Sequence, residues 1–309
     1  MKLRVIILLQ FKTLELGDKE VFMKHLGDYD FNTYEYSFLN LYLWRKYCNV
    51  EYTILEDSLI IKKTEESKGT VFMQPIGYSE ENLEAIISKL LEYKEKKGGM
   101  KFLFSDIEEP FLKKLKEKYG DAVQYYEDVK NFDYIYEADK LIKLNGDKLR
   151  KRKSQYNHFV SSYAYNVKDI HEDKVIKDCI DFSQEWFNGQ SGNHQLECEV
   201  EGIKDILYNL KDLNGLGMAV YVNNVITGFT IGEIVNKNMA IIHIEKGDIS
   251  YNGIYAFINR TFAELYLKDI VYINREEDIG IPGLRRAKLA YDPIKLEKKF
   301  IVDIRRELQ

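Results

Sequence analysis

The apolar positions in the first half of the chain repeat with two different periods. Segments 11–16, 52–56 and 58–63 are short, with the apolar and β-branched residues typical of strands. Segment 81–99 repeats its apolar residues every three to four positions, which predicts a helix with one buried face. The expected buried positions are Leu83, Ile86, Ile87, Leu90 and Leu91, and Gly98 is expected to end the helix.

The second half continues this alternation of strands and helices. A helix is expected over 146–162, and a later hairpin turns at Asn223 and Asn224, because asparagine tolerates positive φ. Further strands are expected at 165–170, 238–246, 269–274 and near 298–304, and further helices at 173–188, 196–212 and 253–267. We therefore predict an α+β fold with two similar domains, residues 1–136 and 137–309, each a mixed, mostly antiparallel sheet flanked by helices.

Length and composition agree with two folded domains. The chain has 309 residues, of which 45% are hydrophobic and only four are proline. It can therefore bury large cores and leaves little room for long disordered stretches. The net charge of −5 argues against a chain that binds nucleic acid over its whole surface. We expect no DNA partner, and a site for an anion must be local.

The cysteines and the apolar runs bear on location. Cys48, Cys179 and Cys198 are far apart and no pair has CxxC spacing, which argues against a disulfide framework or a cysteine zinc site. The apolar run 5–9 is too short to span a bilayer and has no small-residue cleavage site after it. We expect a reduced, cytoplasmic protein with no transmembrane segment and no bound metal.

The predicted helix 146–162 lies in a strongly basic stretch. Residues 137–168 contain eight Lys or Arg against three Asp or Glu. Arg152 and Lys153 stand one turn after Leu149, on a face whose other positions are apolar. Two interpretations stay open. Both side chains extend to solvent, or they line a site for a phosphate, CoA or an RNA backbone.

A second group of polar residues lies on a predicted strand. Alternation along 238–246 places His243 and Glu245 on one face and Ile242 and Ile244 on the other. Glu245 is a candidate general base if it is partly buried, and the alternative is an ion pair with a nearby cation. His243 is also a candidate base, and the alternative is a packed, hydrogen-bonded histidine.

This strand runs into a glycine-containing loop before the next helix. Such a loop can present backbone N–H groups to a phosphate at the helix N-terminus. The loop residues with this candidate role are Lys246, Gly247, Tyr251 and Gly253.

Segment 272–293 combines acidic and basic residues around a helix start at Pro282. Arg285 and Arg286 would lie in the first turn, where the helix dipole favours anions rather than cations. Either they bind a donor phosphate together with Lys288, or they pair with the acidic residues before them. Exposed pairs of this kind contribute about 0–1 kcal/mol.

Three more residues of this segment are candidates. Asn274 and Arg275, where the preceding strand ends, are expected at the same donor site. Tyr291 is a candidate proton donor to the leaving group, and the alternative is a core tyrosine.

Three stretches together resemble a known family. They are residues 145–159, 239–259 and 272–293. They resemble the bacterial group related to the C-terminal domain of phosphatidylglycerol lysyltransferase, over nearly the whole chain. The resemblance implies two GNAT-like domains in tandem, similar to the Fem-type aminoacyltransferases that use charged tRNA, with the site in the second domain. The loop KGDISYNG departs from the GNAT donor-loop consensus, which keeps aminoacyl-tRNA open as the donor.

The expected function is the transfer of an acyl or aminoacyl group. An amine or hydroxyl acceptor attacks the activated ester or thioester of an anionic donor. The donor, acyl-CoA or aminoacyl-tRNA, is a co-substrate, and no tightly bound cofactor is expected. Alignment of the reactants and stabilisation of the oxyanion supply much of the catalysis. The alternative is a non-catalytic, GNAT-derived module that binds RNA or a phosphate-containing ligand.

Overall fold

The computed structural model of the protein describes residues 9–27, 29–189 and 194–305. The apolar run 5–9 lies outside this part of the chain except for its last residue. Within the described ranges, no helix is both long enough and apolar enough to cross a membrane.

The chain forms two compact units that interleave along the sequence. The first contains the described residues up to Asp30, residues 44–128 and those from Lys298 onward. The second contains residues 31–43 and 129–297. Each unit has its own sheet and its own apolar core.

The first unit is built on a mixed sheet with helices packed against it. In spatial order, the strands are Lys12–Thr13 (β1), Glu51–Leu55 (β2), Ser58–Glu65 (β3), Gly69–Phe72 (β4), Phe104–Ile107 (β5), Phe300–Ile304 (β14) and Val123–Glu127 (β6). Neighbouring strands are antiparallel except β4 and β5, which are parallel. The helices are Lys19–Leu26 (α1), Leu83–Lys97 (α3) and Glu109–Tyr119 (α4).

Helix α3 shows how the apolar pattern builds this core. Its five expected apolar positions are all buried, and Gly98 ends the helix with φ +67°. They pack in one cluster with Phe72 of β4 and Phe104 of β5. The predicted helix is confirmed. Its apolar stripe packs on the sheet because a stripe of this width needs an apolar face to cover it.

The second unit has the same type of architecture. In spatial order, its strands are Lys295–Glu297 (β13), Asp133–Glu137 (β7), Tyr272–Asn274 (β12), Met239–Gly247 (β11), Val225–Ile234 (β10), Leu216–Val222 (β9) and Tyr165–Asp169 (β8). Neighbours are antiparallel except β11 and β12. The helices are Phe38–Trp44 (α2), Ala138–Lys143 (α5), Arg150–Ser162 (α6), Asp173–Asn188 (α7), His194–Tyr208 (α8), Ile254–Tyr266 (α9) and Pro282–Leu289 (α10). The predicted α+β fold with two mixed, mostly antiparallel sheets is confirmed.

A bulge in β11 changes which side chains share a face. The register between β10 and β11 shifts by one residue at His243. Ile242 packs in one apolar cluster with residues of α9, and the carboxylate of Glu245 lies 3.4 Å from the amide of Asn259 on the same helix. The regular alternation predicted for this strand is therefore wrong, and Ile242 and Glu245 lie on one face.

Helices α6 and α9 approach each other closely at Gly253. This residue precedes α9 with φ +93°, and a Cβ on it would lie 2.2 Å from the carbonyl oxygen of Gln155 in α6. Only glycine allows both the backbone conformation and the approach. The rings of Phe159 and Phe257 stack between the two helices at 4.5 Å. The contact fixes the position from which α6 extends its basic side chains.

We predict that Gly253→Ala destabilises the second unit by about 2 kcal/mol or more. Positive φ alone costs a non-glycine residue roughly 1–2 kcal/mol, and the methyl group must also displace a backbone carbonyl. Gly283→Ala is the matched control, because a Cβ added there would meet no atom within 4 Å and its φ is not positive. Chemical denaturation of both variants measures the difference, and equal stabilities would contradict the prediction.

Candidate functional site

A buried arginine organises the polar centre of the second unit. Nη2 of Arg275, just after β12, donates to the two carboxylate oxygens of Glu245 at 3.0 and 3.2 Å. In the amide orientation that its neighbours favour, the oxygen of Asn259 accepts from Nε and Nη1 at 3.2 Å. Burial alone would lower the pKa of Arg275, but the attraction of Glu245 outweighs it and raises the pKa. All three guanidinium nitrogens therefore have protein acceptors.

Tyr291 lies beside this arginine with an unsatisfied hydroxyl group. The guanidinium carbons of Arg275 and Arg152 lie 4.8 and 5.2 Å from the centroid of its ring, within cation–π distance. The residue is only 4% exposed, and its hydroxyl has no hydrogen-bond partner among the described residues. Burial raises the pKa of Tyr291 to about 12. The hydroxyl is therefore a protonated donor at neutral pH.

Arg152 brings a second donor to the same place. Its Nη1 donates to Oε1 of Gln155 at 2.7 Å, which orients the guanidinium along α6. Its Nε is buried and has no acceptor within the described part of the chain. Buried polar groups in folded proteins are nearly always paired. The hydroxyl of Tyr291 and Nε of Arg152 are therefore two buried donors without acceptors among the described residues, and they indicate a site for ligand oxygens.

His243 has the surroundings of the second interpretation, a packed and hydrogen-bonded histidine. Its ring is fully buried, with Nδ1 2.8 Å from Glu276 and Nε2 2.9 Å from Glu233. Burial alone would lower the pKa of His243, but hydrogen bonds to the two carboxylates outweigh it and raise the pKa to about 9. At neutral pH both nitrogens are donors, so the ring has no lone pair to accept a proton. This geometry argues against His243 as the base.

The two other cationic candidates near the strand have partners within the protein. Lys246 donates to Glu199 of α8 at 2.8 Å and lies 3.8 Å from the ring centroid of Trp186 in α7. The ammonium of Lys288 donates to the backbone carbonyl of Arg275, and burial lowers the pKa of Lys288 to about 8. Both lysines therefore make contacts that support the fold. The sequence suggested them as ligands of a donor phosphate, and that role stays a prediction.

Arg285 and Arg286 lie in different surroundings. Arg285 makes a two-point contact with Asp278, at 2.7 Å through Nε and 3.0 Å through Nη2. Asp278 also accepts from the hydroxyl of Tyr134 at 2.6 Å. Arg286, like Lys153 on α6, is exposed. The structure thus favours the charge-pair interpretation for Arg285.

Asn274 and Tyr251 have structural contacts as well. The buried amide nitrogen of Asn274 donates to Asp133 at 2.8 Å, and its oxygen accepts from the backbone N–H of Glu276 at 2.7 Å. Tyr251 packs edge-on against Tyr163 at 5.2 Å. The structure therefore gathers part of the predicted set, namely Glu245, Arg275, Arg152 and Tyr291.

The loop before α9 uses most of its own backbone N–H groups within the protein. Gly253 itself faces the carbonyl of Gln155. Six of the eight backbone N–H groups from 247 to 254 already donate to protein oxygens. These donors belong to Gly247, Asp248, Ser250, Tyr251, Asn252 and Ile254. A phosphate cradle of the kind found at helix N-termini needs such groups free.

Two residues of this centre were not among the sequence candidates. Asn259 is fully buried on α9, among the apolar residues of that helix, and a polar residue on an apolar helix face is the signal that points to it. Tyr136 of β7 has its ring centroid 5.6 Å from the guanidinium of Arg275. Nothing in its strand distinguishes it from a core tyrosine.

Three carboxylates elsewhere in the second unit could hold a cation. Oxygens of Glu35, Asp133 and Glu277 lie within 4.8 Å of one another. Each of these residues also has other interactions within the protein.

The two sheets and their helices define the class of the protein, a tandem GNAT-like fold. A tandem GNAT protein from the clavulanic acid biosynthesis pathway has this fold, with a TM-score of 0.52 at 7% identity over 95% of this chain and 97% of that one. The chain belongs to the family described as phosphatidylglycerol lysyltransferase, C-terminal, which matches residues 27–303. The family resemblance expected from the sequence is confirmed.

Three known proteins show how far this similarity extends. A conserved protein of unknown function from Bacteroides thetaiotaomicron is 30% identical, with a TM-score of 0.88 over 96% of this chain and all of that one. The L-PGS structure from Bacillus licheniformis has a TM-score of 0.65 at 15% identity, covering 94% and 93% of the two chains. An uncharacterized protein of Mycoplasmoides gallisepticum is 25% identical over 194 residues. That match covers 62% of this chain and 62% of the relative's length.

We predict that Tyr291→Phe leaves the free energy of unfolding unchanged or raises it by up to about 1 kcal/mol. The substitution removes a buried hydroxyl that has no partner among the described residues, and such a group costs stability. Tyr134→Phe is the matched control, since it removes a 2.6 Å bond to Asp278 and should cost about 1–3 kcal/mol. Thermal and denaturant unfolding measure both. A loss at Tyr291 as large as at Tyr134 would show that the Tyr291 hydroxyl is paired.

Proposed function

We propose that this protein transfers an aminoacyl group from an aminoacyl-tRNA to an amine or hydroxyl acceptor. The observation that carries the proposal is the pair of unpaired donors, the hydroxyl of Tyr291 and Nε of Arg152, beside the carboxylate of Glu245. Membership in the lysyltransferase family supports the acyl-transfer chemistry. The similar fold of the L-PGS structure agrees with it. A cytoplasmic location stays a prediction.

The proposed chemistry assigns one task to each group. The acceptor's nucleophilic atom forms a bond to the acyl carbon, and the bond from that carbon to the donor's ribose oxygen breaks. Glu245 receives the acceptor's proton, directly or through water. Arg152 donates a hydrogen bond to the developing oxyanion. Tyr291, protonated at neutral pH, donates its proton to the leaving ribose oxygen. The proton that Glu245 took from the acceptor then returns to Tyr291.

The contacts of the loop before α9 support one of the two donor classes. Acyl-CoA would need free N–H groups there for its pyrophosphate, and most of them already donate within the protein. Lys246 is also paired, with Glu199. A tRNA acceptor end carries its reactive ester on a ribose and need not use this loop. These contacts favour aminoacyl-tRNA over acyl-CoA.

A transfer assay tests the proposal. The protein is incubated with a mixture of tRNAs charged with labelled amino acids, or with labelled acyl-CoAs, and with hydroxylamine as a generic acceptor. We expect product from charged tRNA above the uncatalysed rate, and none from acyl-CoA. Tyr291→Phe and Arg152→Gln should each lower the rate about 100-fold, the loss typical of removing one oxyanion donor.

Two exposed positions provide controls for these variants. Lys151→Gln, next to Arg152 on α6 but exposed, and Tyr208→Phe, 65% exposed, should keep the parent rate. A parental rate in Tyr291→Phe would contradict the assigned site. Binding of charged tRNA without product would instead favour a binding module that no longer catalyses, and product from acyl-CoA alone would refute the donor argument.

A further inference from the structure

Two neighbouring residues after β12 are held by the same strand. Glu276 contacts His243 of β11 at 2.8 Å, and Arg275 contacts Glu245 of β11 at 3.0 Å. Residues 243 and 245 of a regular strand would share one side of the sheet. The bulge at His243 places their side chains on opposite sides, so that β11 holds Glu276 through one and Arg275 through the other.

The backbone at this point adopts a conformation that needs support. Glu276 has φ +58°, which is uncommon for a residue other than glycine. Its backbone N–H donates to the side chain of Asn274, and its carbonyl accepts from the N–H of Tyr134 at 3.1 Å. The carboxylate is anchored by His243. The ring of His243 in turn is anchored by Glu233 of β10 at 2.9 Å.

We propose that His243 is a positioning residue, which clamps Glu276 to Glu233 and thereby sets the guanidinium of Arg275 against Glu245 and Tyr291. The inference rests on the proposed function in that this cluster is taken as the active site. The clamp itself is a statement about geometry and can be tested without a donor or an acceptor.

The clamp depends on the charge of the imidazole ring. Glu233 and Glu276 face the ring, and His243, Lys288 and Asp133 act on the charge of Glu276. Because the pKa of His243 is raised to about 9 in the folded protein, above its ordinary value of 6.5, the clamp is formed at neutral pH and is lost as the pH rises through 9. The stability that the clamp adds to the folded state is fully present below about pH 6.5 and declines as the pH rises to 9. Lys288, whose pKa is lowered to about 8, titrates in the same window and must be separated from it.

Nitrogen-15 NMR of the full chain tests the clamp directly. The ring signals of His243, assigned by their loss in His243→Gln, should keep both N–H protons up to about pH 9. The Nε–H of Arg275, assigned by its loss in Arg275→Lys, should exchange slowly with water in the parent. In His243→Gln this exchange should be at least about tenfold faster at pH 7, because local opening controls exchange of buried groups.

A second arm needs no substitution in the clamp. Raising the pH of the parent through 9 should accelerate the Arg275 exchange beyond the increase seen for other buried N–H groups, and lowering it should restore the signal. His243→Gln should lack this extra step while keeping any step that arises from Lys288. His171→Gln, a surface histidine bonded to Asp169 at 2.7 Å, is the control and should behave like the parent.

The outcomes separate the clamp from the proposed function. Unchanged Arg275 exchange in His243→Gln, or a neutral His243 ring at pH 7, would overturn the clamp even if the protein transfers aminoacyl groups. If transfer is observed, His243→Gln should lower kcat at least about tenfold with little change in the KM for charged tRNA. Absence of transfer in the parent would refute the function and leave the NMR result standing.

Discussion

The buried ion pair between Arg275 and Glu245 is the interaction on which the polar centre of this protein depends. It joins the end of β12 to β11, and Asn259 adds α9 to the same group. Removing one partner of a buried pair leaves an uncompensated charge, which typically costs about 3–5 kcal/mol. Glu245 and Asn259 together accept hydrogen bonds from all three guanidinium nitrogens, so Arg275 is a fixed support. The groups near it that can bind a ligand are the hydroxyl of Tyr291 and Nε of Arg152.

Both of those groups are buried donors that the fold leaves unsatisfied. The hydroxyl of Tyr291 and Nε of Arg152 are buried without acceptors among the described residues, although folding normally selects against such atoms. Stability alone would favour a phenylalanine at 291. Ligand oxygens that accept from these two donors would explain why buried polar atoms without protein partners occupy these positions. This is the expected relation between stability and function, in which an active site retains polarity that the core does not need.

Local periodicity was enough to predict the helices, the hairpins and the fold class, because each depends on which residues a single element buries. It also identified Glu245 and Arg152 as candidates, whereas Tyr291 is a candidate from the chemistry of its hydroxyl alone. Periodicity does not show which side chains contact each other in the folded protein. Arg152 and Lys153 are adjacent basic residues with the same local pattern, and only tertiary packing decides that the first is partly buried beside the ring of Tyr291 while the second is exposed. The bulge at His243 likewise arises between strands, so regular alternation misplaced its neighbours.

The most direct measurement is a crystal structure of the protein with a non-hydrolysable aminoacyl-adenosine amide, which imitates the end of a charged tRNA. The account predicts that an oxygen of the amide or the ribose lies within about 2.7–3.2 Å of the Tyr291 hydroxyl or of Nε of Arg152. The aminoacyl carbonyl should lie close to Glu245. A ligand bound elsewhere, with both donors still unpaired, would contradict the assignment of this site.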